Sequence, residues 1–186
     1  MELEKALAGQ LHAGLAMLAS SIERCPSDLW SAPNPPAAVE ARPDNPDWNG
    51  VERPFWRIAF HAVYFTHLYI GQGEGAFVEP PAALEVRRRP DFEAMWHAPW
   101  SLEPYELPPG AEPISRGSLL EYAAFVDGLV DVTLAGLELG SGESGFPWYP
   151  GVSKLSHELL NLRHLQGHVG QLSELLMLRG IDIDWV

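Results

Sequence analysis

Apolar side chains at Leu3, Leu7, Leu11, Leu15, Leu18 and Ile22 recur every three or four positions, which predicts a helix over residues 2–24 that Pro26 stops. From Cys25 to Arg53 no period survives the Pro, Asn and Asp residues, so this stretch reads as a long connection. Pro54 suits the first turn of a second helix, PFWRIAFHAVYFTHLYIG, where its missing N–H is not needed. That helix is aromatic almost all round, which predicts burial on more than one side, and Gly71, Gly73 and Gly75 end it. Residues 76–117 form a second long connection, with prolines at 80, 81, 90, 99, 104, 108, 109 and 113 and room for a short helix at DFEAMW. Ser118 followed by Glu121 reads as a capping box opening a third helix, LLEYAAFVDGLVDVTLAGLEL. After the turn-rich GSGESGFPWYPG, Ser153 caps a fourth helix, KLSHELLNLRHLQGHVGQLSELLMLR, which Gly180 terminates before the tail IDIDWV. No segment alternates convincingly as a strand. The pattern predicts an all-α fold: a four-helix bundle with long irregular connections between helices one and two and between two and three. A chain of 186 residues fits a single domain spanning 1–186.

Composition narrows the function classes. Twelve basic residues against 25 acidic give a formal net charge of -13, a poor match to nucleic acid or to an anionic membrane surface. The basic cluster Arg87, Arg88 and Arg89 reads as a solvated loop or, alternatively, an anion-binding patch. Absence of a long apolar run argues against a membrane span, and the acidic N-terminus argues against a secretory signal. Cys25, as the single cysteine, cannot form an internal disulfide, which points to a reducing cytoplasmic setting.

Two familiar motifs fail on context. Gly140, Gly142 and Gly145 satisfy GxGxxG, yet a helix precedes them where a dinucleotide site needs a strand. HLQGH resembles a zinc-protease motif, but Leu165 stands where the general-base glutamate belongs. What remains is H-x-x-x-H. His164 and His168 share one helix face about 6 Å apart along the axis, a spacing at which two neutral imidazoles grip one divalent cation. Two ligands close only half of a tetrahedral site, so a third must come from another helix. His61, in the middle of the aromatic helix, is a candidate; the alternative is a core histidine hydrogen-bonded to a neighbour. His67, about 600° further around that helix, points to a different side.

WRIAFHAVYFTH in the second helix and NLRHLQGHVGQLSELLMLRGIDIDWV at the end resemble the DinB-like family of small metalloproteins. In that family one histidine of the second helix joins an H-x-x-x-H pair on the fourth. The resemblance therefore implies His61, His164 and His168 as ligands of one divalent transition metal, with Ni, Zn, Fe and Mn all found among members. The flanks agree: Arg163 before the pair, Val169, Gly170 and Gln171 after it, and the LRG ending. The two long connections lie outside the resemblance. It implies a small-molecule substrate, in some relatives with a low-molecular-weight thiol as cosubstrate, in others a hydrolysis. It names neither substrate nor catalytic residues, and leaves a non-catalytic metal- or ligand-binding stress protein as the alternative.

Other polar groups are read more blandly. His157 shares a stripe with Asn161, His164 and His168 but sits about 10 Å along the axis from His164, too far to share its metal; it reads as a surface or helix-start residue or, alternatively, as a group supporting the ligands or meeting substrate. His12 and His97 have no placement from sequence, and Cys25 shows no basic neighbour. The aromatic connection with Phe92, Met95, Trp96, Trp100 and Tyr105 is expected to pack across the bundle, as a pocket wall or, preferred, as the contact of a homodimer.

Overall fold

The computed structural model describes residues 2–32, 54–88 and 112–186. Its elements in chain order are α1 (Glu2–Arg24), α2 (Ser27–Trp30), α3 (Phe55–Tyr69), a 3-10 turn (Glu74–Ala76), α4 (Glu85–Arg88), α5 (Arg116–Ala135) and α6 (Lys154–Met177). The described residues are helical or irregular, with no strand among them, so the all-α class is correct. Four helices are long: α1, α3, α5 and α6.

Local chemistry explains most of the boundaries and corrects three. Pro54 caps α3 from outside the helix, in extended backbone, instead of filling its first turn. The start of α5 lies earlier than the capping box suggests. Ser115 is the cap, its Oγ accepting from the Ser118 N–H, while Ser118 is buried inside the first turn. That helix also ends earlier, at Ala135, with Gly136 after it. Ser153 caps α6 as its sequence predicts, accepting from the Ser156 N–H, and Gly180 beyond the end takes φ +71°. Part of each long connection is helical after all: one turn at α2 and one at α4. The proposed DFEAMW helix and the aromatic run from Phe92 to Tyr105 lie outside the described residues.

Packing brings α3 along α6, sets α1 against both α5 and α6, and lets α3 touch α5 as well. All of α3 except Arg57 and Phe65 is buried, as its aromatic circumference predicts. Two close approaches matter for the site. Gly14 lets α1 press on α6, since a methyl there would come within 2.7 Å of Leu165 Cδ2. Gly145, at φ +83°, lies where any Cβ would strike the Gln72 carbonyl, so the loop before α6 locks onto the end of α3. No described helix is long and apolar enough to cross a membrane.

Candidate metal centre

The face where α3 meets α6 brings His61, His164 and His168 together. His61 Nε2 lies 2.9 Å from His164 Nε2, and His168 Nε2 lies 3.1 Å from the same atom. All three donor nitrogens fall within 4.8 Å of one another. Several contacts fix the two helices in this register. Asn161 Nδ2 donates to the Thr66 carbonyl at 3.3 Å, and Lys154 Nζ donates to the Gly71 carbonyl. The rings stand edge-on or tilted to one another, with centroids 4.5 to 4.9 Å apart. Phe65 packs on His61 at 4.5 Å and on His164 at 5.6 Å, so the cluster has an aromatic wall.

Electrostatics favour lone pairs over protons here. Burial, helped by neighbouring His168, pushes His164 down to about 3, and burial lowers His168 as well. Neutral imidazoles at neutral pH offer unprotonated nitrogens, the form a cation needs. Imidazole nitrogens bound tetrahedrally at about 2.0–2.1 Å from zinc stand roughly 3.3 Å apart, close to the separations seen here. The Nε2 of His164 cannot hydrogen-bond both neighbours in the ordinary way, because a neutral ring nitrogen carries one proton or one lone pair. The donor set and its spacing fit a metal ion, and the three residues could hold one.

Beyond the ligand atoms, the rings differ. His168 Nδ1 meets Gln171 Oε1 at 2.8 Å, whereas His164 Nδ1 is buried with no hydrogen-bond partner among the described residues.

The remaining candidates fall elsewhere. His67 turns away from the cluster as its helical phase predicts: its Nδ1 meets the Tyr122 hydroxyl at 2.9 Å, and its ring packs on Phe77. Burial drives that imidazole down to about 4, against the pull of a hydrogen bond with the Val78 backbone. His12 sits between two carboxylates of α5, with Nδ1 2.6 Å from Asp127 and Nε2 3.4 Å from Asp131. It borders an open groove of about 550 Å³ between α1 and α5, away from the three histidines. The hydrogen bond to Asp127 raises its pKa. Arg87 and Arg88 belong to α4, where Arg87 pairs with Glu79 at 3.2 Å; Arg89 and His97 lie outside the described residues. Cys25 is buried, which pushes its thiol up to about 11, and it does have a basic neighbour: Arg116 donates to its carbonyl.

His157 is a correction. It is fully buried, because α6 begins against the 140s loop and the end of α3 and not in solvent. Its ring stacks on Phe146 at 4.5 Å and meets Tyr69 edge-on at 4.9 Å. Next to it stands a group that pattern reading missed, the fully buried Lys154–Glu158 pair, with Nζ to Oε1 at 2.9 Å. The i,i+4 spacing of Lys and Glu was its only sequence signal, and that spacing usually marks an exposed helix face.

The chain matches no known family model, no curated protein and no solved structure. The functional argument therefore rests on the geometry of the histidines.

Proposed function

We propose that this chain is a metalloprotein of the DinB-like kind, its four long helices forming a four-helix bundle around one divalent transition metal ion. One observation carries this reading: three Nε2 atoms from two helices converge at 2.9 and 3.1 Å inside a largely buried, aromatic-walled cluster. His61, His164 and His168 are the proposed ligands; Ni, Zn, Fe and Mn all suit imidazole or mixed donor sets, so the ligands do not select among them. The packing order supports the bundle, since each long helix lies against two others while α1 and α3 barely meet.

Three protein ligands leave coordination positions open, and a metal so held lowers the pKa of a bound water or thiol and polarises an oxygen of a substrate. The protein residues supply orientation and dryness: α3 and α6 hold the rings, and Phe65 shields them. That combination fits a metal-dependent transferase using a low-molecular-weight thiol, or a hydrolase, acting on a small molecule in the cytoplasm. A non-catalytic metal- or ligand-binding role is the second reading. It is favoured by one observation: the cluster the described residues form contains histidines alone, with no carboxylate among them to serve as acid or base.

X-ray absorption of the purified, metal-bearing protein separates the two. Three imidazole nitrogens plus exchangeable light ligands, with a sulfur neighbour appearing when a small thiol is added, supports the thiol-using enzyme. A closed shell unchanged by thiol or by substrate-like carbonyl compounds supports the second reading.

A further inference from the structure

A histidine binds a cation through Nε2 only when its proton resides on Nδ1, and whatever accepts that proton fixes both the tautomer and the plane of the ring. For His168 such an acceptor is visible. Gln171, one turn further along α6, places Oε1 2.8 Å from His168 Nδ1. A side-chain carbonyl oxygen can only accept, so this contact requires a proton on Nδ1 and leaves the Nε2 lone pair facing His164, 3.1 Å away. The alternative amide orientation, with its NH₂ group toward Nδ1, would put the proton on Nε2 and turn it toward the other two donors.

We infer that Gln171 is a positioning residue that sets the tautomer of His168 and thereby completes the metal-binding set. The inference rests on the proposed metal site and adds to it a residue that never touches the ion. Two observations argue for a positioning role over a packing role. Gln171 is exposed, so its side chain contributes little to the core. His164, the other ligand on α6, has its Nδ1 buried without a partner among the described residues, so Gln171 is the side chain seen at an Nδ1 of this helix's pair.

The test uses the full chain in three forms: wild type, Gln171→Leu and Gln171→Glu. Long-range proton–nitrogen NMR on the metal-free protein reports which nitrogen of His168 carries the proton. Zinc affinity is read by competition with a chromophoric chelator. The expected result is Nδ1–H in the wild type, loss of that preference in Gln171→Leu with zinc affinity reduced about 10- to 100-fold, and recovery of both in Gln171→Glu. Thermal stability of the metal-free forms should be the same, which a packing role would not give. An Nε2–H tautomer in the wild type, or a Gln171→Leu protein with unchanged tautomer and affinity, overturns the inference. If the wild type binds no zinc while its tautomer responds to Gln171 as described, the metal reading fails and the assignment of Gln171 as the group orienting His168 stands.

Discussion

Two buried polar clusters lie along the same face of α6, one around His164 and His168, the other around Lys154, His157 and Glu158. They solve the cost of burial in opposite ways. At the start of the helix the charges cancel: Lys154 Nζ sits 2.9 Å from Glu158 and also reaches the Gly71 and Ser144 carbonyls. The Lys154 contacts tie α6 to the end of α3 and to the loop at Ser144. Further along, the ring nitrogens of His61, His164 and His168 converge on one another. That arrangement is poor as a stabilising contact and good as a cation site. Burial alone therefore does not mark function; what distinguishes the clusters is that one holds a pair of opposite charges and the other a set of converging histidine nitrogens.

The largest effects should separate the clusters outright. His61→Ala, His164→Ala or His168→Ala is expected to weaken metal binding by more than about 100-fold, beyond the loss from removing a neighbour of a ligand. His67→Ala, whose ring contacts Tyr122 instead, should leave the metal-to-protein ratio unchanged in equilibrium dialysis. Equal losses in all four variants would dissolve the distinction between cluster and core.

Breaking the charge-matched cluster should do the reverse. Glu158→Gln or Lys154→Met leaves one buried charge without its partner and should cost about 3–5 kcal/mol in urea unfolding of the metal-free protein. The double variant Lys154→Met/Glu158→Leu should be less damaging than either single change, because it removes both charges. A double variant as unstable as the sum of the singles would show that Lys154 and Glu158 are not energetically coupled.

A third region sharpens the comparison by acid. Buried His67 is held down to about 4, against 6.5 in an open chain. Between those values the unfolded chain binds the extra proton and the folded one does not, so this contribution is intact above about pH 6.5. It fades as pH falls toward 4, by roughly 3 kcal/mol. His164, lowered to about 3, adds a loss of the same sign in the metal-free protein. Chemical denaturation at pH 7 and pH 4.5 measures it; a flat profile would mean these rings are not desolvated. The smallest effect belongs to the surface. Asp127→Asn breaks a 2.6 Å contact between half-exposed groups and should cost under about 1 kcal/mol.

Much of this was legible in the chain. The Leu and Ile spacing of α1 and the aromatic run of α3 depend on local period, and both helices form where that period places them. Ser153 and Gly180 mark the ends of α6 by backbone chemistry alone. The spacing of His164 and His168 exposes a shared face, but the meeting with His61 is a tertiary fact that the pattern only suggests. Lys154, His157 and Glu158 were misjudged or missed because helix-surface residue types say nothing of what folds over them. Here Phe146 and the locked turn at Gly145 bury that end of α6. Ser115 displaced Ser118 as a cap because either serine suits the role and only the chain path chooses.

The most direct measurement is the metal content of the full chain purified without chelator and without a metal-affinity resin, determined by elemental analysis beside the His61→Ala variant. The account predicts one transition-metal ion per chain in the wild type and a trace in the variant. Wild-type protein with no bound metal after exposure to Ni, Zn, Fe and Mn in turn, or a His61→Ala protein that retains one ion per chain, would contradict it.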